Sequence, residues 1–218
     1  MLFRSDLEAT GQKQAAWRVD PAQAGAGGSL GDIGTHAEHL ARFISALELS
    51  EVSADLSTFV QGRRLDDNAH VLLRYTNGAR GMLWSSQVAP GNENSLKVRV
   101  YGSKAGITFC QEHPNQLWFA ALGEAPRLIT RSGAGAGSAA AHATRLPAGH
   151  PEGYLEGFAQ IYSDVADQLH ARWEGVAPDP LVCTVPTVED GALGMKFIEA
   201  VVASSQANGR WTDARLSF

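Results

Sequence analysis

The stretch Ala69-His70-Val71-Leu72-Leu73-Arg74-Tyr75-Thr76-Asn77-Gly78-Ala79-Arg80-Gly81-Met82-Leu83-Trp84-Ser85-Ser86-Gln87-Val88 decides the fold. Two runs rich in β-branched, aliphatic and aromatic residues flank Asn77-Gly78, a strong tight-turn signal, so the spacing predicts a hairpin of Ala69–Tyr75 with Ala79–Val88. Outward from it, Glu51–Val60 reads as a preceding strand. Ser95–Tyr101, Ile107–Gln111, Gln116–Ala121 and Arg127–Thr130 continue the meander. Before the strands, Leu30–Leu47 reads as a helix with Ile33, Ala37, Leu40, Ala41, Ile44 and Leu47 along one side. After them, Ser132–Gly149 is rich in Gly and Ala and reads as a surface loop. Helices over Tyr154–Arg172 and Val188–Ala207 follow, the second after Pro186 with Thr187 and Asp190 in a capping arrangement. Arg210–Phe218 reads as a short closing strand. Strands in a run, then helices, predict an α+β fold: an open, mostly antiparallel sheet with helices on one face.

The chain has 218 residues, 44% apolar and 19% charged, which suits one soluble domain over residues 1–218. A net charge of −5 gives no electrostatic reason to expect a nucleic acid or an anionic membrane as partner. No apolar run approaches the roughly 20 residues that cross a bilayer. The opening Met1-Leu2-Phe3-Arg4-Ser5-Asp6 lacks a signal-peptide core, so the default compartment is the cytoplasm. Cys110 and Cys183 stand in no metal-type spacing and are expected as reduced, buried thiols. No Gly-x-Gly-x-x-Gly follows a strand and opens a helix. Gly25-Ala26-Gly27-Gly28 has the wrong spacing, and the P-loop pattern is missing.

On the first helix, Asp32, His36, His39 and Phe43 fall within roughly 60° of one another at the regular helical rotation, beside the apolar face. A carboxylate one turn from an imidazole can orient the ring and raise its basicity, which suits a general base working on an alcohol proton. Other readings stay open. Asp32 can cap free N–H groups, His36 can be an edge-of-core residue and His39 a solvated one. Asp32, His36 and His39 could also offer three metal ligands from one face, though no further cluster supports a metal.

Three segments carry a resemblance. Trp17-Arg18-Val19-Asp20-Pro21 with Gly27-Gly28-Ser29-Leu30-Gly31-Asp32-Ile33-Gly34-Thr35-His36 is the first. His150-Pro151-Glu152-Gly153-Tyr154-Leu155-Glu156-Gly157-Phe158 is the second. Thr187-Val188-Glu189-Asp190-Gly191, followed by Phe197-Ile198-Glu199-Ala200, is the third. In order and content they resemble the C-terminal domain of the Gfo/Idh/MocA oxidoreductases, from about Gln12 to Trp211. The resemblance implies an α+β domain with an open sheet and a substrate pocket for a sugar or polyol, partnered in the family by a Rossmann domain for NAD or NADP. Asp32 and His36 match its D-x-x-x-H motif, with His36 as the base and Asp32 orienting substrate or His36. Trp17, Arg18, His150 and Tyr154 match positions that line the pocket; packed or surface roles for them remain open. The family's catalytic Lys, in a Glu-Lys-Pro motif, is absent: Lys13, Lys97, Lys104 and Lys196 stand elsewhere. The strand usual before a Gly11-Gln12-Lys13-Gln14-type segment has little room. A fragment, a shortened gene product and a stand-alone descendant all fit.

From this reading follow a single substrate-binding and oligomerisation domain, no NAD or NADP binding by the chain alone, a homo-oligomer through the sheet, and a separate Rossmann chain as a candidate partner. A non-enzymatic dimeric binding or structural module is the alternative.

Overall fold

The computed structural model describes residues 17–216 and the backbone of Leu2 and Phe3. The Gly11-Gln12-Lys13-Gln14 segment lies outside the described residues. The chain forms two compact units, Met1–Val98 with Val188–Phe218, and Arg99–Thr187.

The first unit is built on the predicted hairpin. Strands β1 (Leu2–Phe3), β2 (Leu49–Ser57), β3 (Asn68–Tyr75), β4 (Arg80–Ser86) and β9 (Thr212–Asp213) form one sheet in the order β1-β4-β3-β2-β9. β1 runs parallel to β4, with Leu2 opposite Ser85; the other pairings are antiparallel. Strand alternation sends Val52, Ala54, Ala69, Val71, Leu73 and Leu83 to one face, where they are buried. Helix α5 (Val188–Gln206) covers them with Phe197, Ala200 and Val201, and the N-terminal helix adds Leu30, Ile33 and Ala37. Each large side chain so enclosed contributes about 1.5–3 kcal/mol. The opposite face carries Leu72 and Met82, directly paired across β3 and β4 and exposed at 52% and 77%.

Beyond its short pairing with β9 at Glu51 and Val52, the outer edge of β2 meets side chains. Ser204 Oγ accepts from Ala54 N at 3.0 Å and Ser205 Oγ from Leu56 N at 3.0 Å, so α5 satisfies edge donors that would otherwise be left open.

The other sheet holds β5 (Lys97–Tyr101), of which Arg99–Tyr101 belong to the second unit, with β6 (Ala105–Cys110), β7 (Gln116–Ala121) and β8 (Arg127–Thr130) in sequential order, β6, β7 and β8 antiparallel. The predicted meander is therefore divided between two sheets. The Gly/Ala-rich stretch contains a short helix, α3 (Ser138–His142), where alanines favour helix and His142 Nε2 meets Asp164 Oδ1 at 2.8 Å. Asp164 belongs to α4 (Tyr154–Glu174), which begins where the Glu156 carboxylate accepts from Gly153 N at 2.9 Å and ends at Gly175, φ +70°. That backbone donor holds the Glu156 carboxyl below its usual range.

Both cysteines are free, but they are not buried: Cys110 is half-buried and Cys183 exposed. Cys183 sits in a short turn, Pro180–Thr184, in which Val182 is the buried residue. No described helix is long and apolar enough to cross a membrane.

Candidate functional site

The helix that carries Asp32 and His36 starts under an unusual clamp. Asp66, in the loop between β2 and β3, accepts from Gly28 N at 2.6 Å through Oδ1 and from Leu30 N at 2.8 Å through Oδ2. Its backbone carbonyl accepts from Ser29 N at 2.8 Å. Three successive donors at the helix start thus go to one buried residue. The approach is close enough that a Cβ on Gly28 would stand 2.1 Å from the Asp66 carbonyl oxygen. Burial raises the Asp66 carboxyl above its ordinary value, against the opposing pull of the Leu30 and Gly28 donors.

The first turn, Leu30–Gly34, is wide: Thr35 N reaches back five residues to Leu30 O. Regular helix α2 (Thr35–Ser45) follows. Single wide turns of this kind are rare and concentrate at functional sites. The stripe reckoned at regular rotation passes through this turn, so Asp32 and His36 are not in the phase of an ordinary helix. The helix ends at Ser45, before Leu47, because Ala46 takes a left-handed conformation, φ +53°.

Asp32 is mostly enclosed, its side chain 14% exposed. Its Oδ1 lies 3.3 Å from Arg18 Nε, and its Oδ2 accepts from Gln87 Nε2 at 3.2 Å. The Arg18 guanidinium lies 5.5 Å from the centre of the Trp17 ring. Trp17 is exposed rather than a packed anchor. Gln87, just past β4, is buried, and its backbone N donates to Asp67 O at 2.8 Å. The adjacent acids Asp66 and Asp67 therefore fix both the helix that bears Asp32 and the residue that binds its second oxygen. Nothing in their sequence context marked them, or Gln87, as part of this arrangement.

His36, on the next turn, is exposed. His39 is half-buried, its ring 6.5 Å from that of Phe43, and burial, then the charge of Arg42, lowers its basicity. Glu38 was not anticipated: it is buried, 3.4 Å from Arg42 Nε, and Arg42 Nη1 donates to Asp190 Oδ1 at 2.7 Å. Burial raises the Glu38 carboxyl, with Arg42 opposing.

His150 and Tyr154 belong to the second unit. His150 is exposed and precedes α4; Tyr154 opens α4, 76% exposed, its ring 4.8 Å from that of Phe158. Elsewhere, a groove of about 740 Å³ on the first unit is lined by Phe59, His70, Trp84 and Pro90 among others; Asp32 and His36 do not line it.

The glycine-rich turn that opens the Asp32 helix offers a dinucleotide no free cradle. The N–H groups of Gly28, Ser29 and Leu30, which would face a pyrophosphate, are already bound by Asp66, a carboxylate of the same sign as the phosphates. Among the described residues no group of three or more His, Cys, Asp or Glu could hold a metal ion. What remains is a carboxylate held between a guanidinium and an amide, with an exposed imidazole one turn on, an arrangement suited to hydrogen bonding and proton transfer with a hydroxyl compound.

Residues 1–108 match the family model described as GFO/IDH/MocA C-terminal domain. The uncharacterized oxidoreductase YfiI of Bacillus subtilis (strain 168) is 33% identical over 199 residues, 90% of this chain and 51% of that protein. The crystal structure of an oxidoreductase from Sinorhizobium meliloti is 56% identical, with a TM-score of 0.80, over 84% of this chain and 51% of the other. An inositol dehydrogenase homolog from Azotobacter vinelandii, complexed with NADH and myo-inositol, is 30% identical with a TM-score of 0.83, over 97% of this chain and 55% of the other. The chain spans about half the length of each of these proteins.

Proposed function

Because the chain belongs to the Gfo/Idh/MocA oxidoreductases, over the part that forms their C-terminal domain, we propose that it is the substrate-binding and oligomerisation half of an NAD(P)-dependent oxidoreductase acting on a sugar or polyol hydroxyl, not competent alone. The observation that carries this reading is the Asp32 carboxylate, held by Arg18 and Gln87, with the exposed His36 one turn on.

In this reading His36 accepts the hydroxyl proton. An imidazole nitrogen can accept a proton, and exposure leaves this one open to ligand. Asp32, neutralised on one side by Arg18, orients rather than acts as a base. Trp17 and Arg18 are the candidate substrate contacts of the first unit, and His150 and Tyr154 are those of the second, each taken by itself. NAD or NADP takes up hydrogen from carbon in this family; here it would come with a nucleotide-binding half, in the same polypeptide or in another. The free thiols of Cys110 and Cys183 suit a reducing, cytoplasmic location.

A second reading, a non-enzymatic binding or structural module, is favoured by one fact: protein groups already engage both oxygens of Asp32. A thermal-shift screen of sugars and polyols separates the two. A ligand at 100 times its Kd stabilises the chain by about 2.7 kcal/mol. His36→Ala should keep the fold and lose that stabilisation. A large loss of stability without any ligand effect would favour the module. NADH titrated into the chain alone should give no saturable signal.

A further inference from the structure

The loop before α4 is organised around a single guanidinium. Arg131 follows β8. Its Nε donates to Asn115 Oδ1 at 2.7 Å, Nη1 to Leu146 O at 2.6 Å, and Nη2 to His150 O and, at 3.4 Å, to Pro147 O. Nη1 also lies 3.2 Å from Glu152 Oε1, in a pair whose side chains are 12% and 7% exposed. Glu152 turns back on the same loop, accepting from Arg145 N at 2.7 Å and from Leu146 N. Asn115 closes the ring: its Nδ2 donates to Glu152 O at 2.8 Å and its Oδ1 accepts from Glu152 N at 3.2 Å.

A guanidinium offers five donors in a fixed plane. Here each of its three nitrogens donates to the protein itself, so Arg131 is not arranged to meet a ligand. What it gathers is the backbone of residues 146, 147 and 150, which lie between α3 and α4 in no regular element. Gly149 takes a left-handed φ of +85°, which lets the chain turn back on the fork.

We propose that Arg131 is a positioning residue, which with Glu152 and Asn115 sets the conformation of residues 145–153 and so fixes where His150 presents its imidazole before any ligand arrives. That His150 meets a polyol rests on the function proposed above; the latch itself does not.

The test uses the full chain with Arg131→Lys, which keeps the charge and loses the fork. A second variant, Arg131→Met with Glu152→Gln, leaves no buried charge unpaired if the first fails to fold. His150→Ala is the comparator. Hydrogen exchange at the Arg145, Leu146 and His150 amides should quicken by about tenfold or more in the Arg131 variants, with α5 amides unchanged. The His150 imidazole resonances should move. Affinity for myo-inositol should fall by about fivefold or more, toward that of His150→Ala. Exchange within about twofold of the parent, or an unmoved imidazole, would overturn the latch. Faster exchange with unchanged myo-inositol affinity would reduce Arg131 to a structural role and overturn the positioning one. If the parent chain binds no myo-inositol while His150→Ala behaves like it, the proposed function fails, and exchange with the imidazole shift still decides the latch.

Discussion

Asp66 caps a helix whose first residues lie 36 and 38 positions away in sequence, while Ser29, at the cap position, spends its hydroxyl on Ser85 at 3.4 Å. Asp66→Ala would leave buried N–H groups without partners, at a cost of about 1–3 kcal/mol. Gly28→Ala should cost about 3 kcal/mol, because the added carbon meets backbone rather than a flexible side chain. Urea unfolding measures both, and a neutral Gly28→Ala would mean that the clamp is looser than the distances indicate. Glu38 gives a pH-dependent test. Its folded-state value is raised by burial, so its contribution to stability is full below the ordinary carboxyl range and is lost as pH rises through the raised value. Glu38→Gln mimics the protonated form. It should unfold at higher urea than the parent at pH 7.5, and the gap should close as pH falls toward 4.5, the ordinary glutamate value. A variant less stable than the parent at every pH would show that the Arg42 pairing outweighs burial. The sequence singled out Asp32 and His36 as candidates through a motif and a spacing. It did not disclose Asp66, Gln87 or the burial of Glu38, because these depend on what distant segments bring to the helix.

Among the elements, those set by local pattern were legible. The hairpin appears within a residue or two of expectation, and Gln116–Ala121 and Arg127–Thr130 occur as read. Gly78 N donates to Tyr75 O at 3.0 Å and Tyr75 N to Ala79 O at 3.1 Å, with Gly78 alone of the turn residues at positive φ, +90°. A type I turn closed by a left-handed glycine therefore joins the strands, in place of the two-residue turn that Asn-Gly most often makes. The wide turn of Leu30–Gly34 was not legible, since Leu30, Ile33 and Ala37 are spaced as in a regular helix and nothing in the sequence marks the extra residue. Nor was the division into two sheets: period-2 alternation says that a strand exists, not which strand it pairs with. The cover on the β2 edge yields a prediction at this scale. Ser204 is fully buried, and its hydroxyl accepts from Ala54 N while donating to Arg210 O at 2.7 Å. Ser204→Ala leaves both groups open and should destabilise the chain by about 1–3 kcal/mol, read by thermal or urea unfolding. A change within about 0.5 kcal/mol would mean that water replaces the hydroxyl there.

At the scale of the whole molecule, one face of the first sheet is buried under α5 and the N-terminal helix while Leu72 and Met82 stand open on the other. We propose a second copy as the cover of that side, since exposed apolar side chains grouped on one face mark protein contacts. Light scattering at tens of micromolar should give a dimer or larger, and Met82→Glu, placing charge in the middle of that face, should shift the population toward monomer. A parent monomer would contradict the expectation. The most direct test of Asp32 and His36 as a polyol site is a titration of the chain, selectively labelled at histidine, with myo-inositol and NMR detection. A saturable shift of the His36 imidazole, absent in Asp32→Ala, is the predicted result. An unmoved His36 resonance up to the solubility limit of myo-inositol and of a panel of sugars would contradict it.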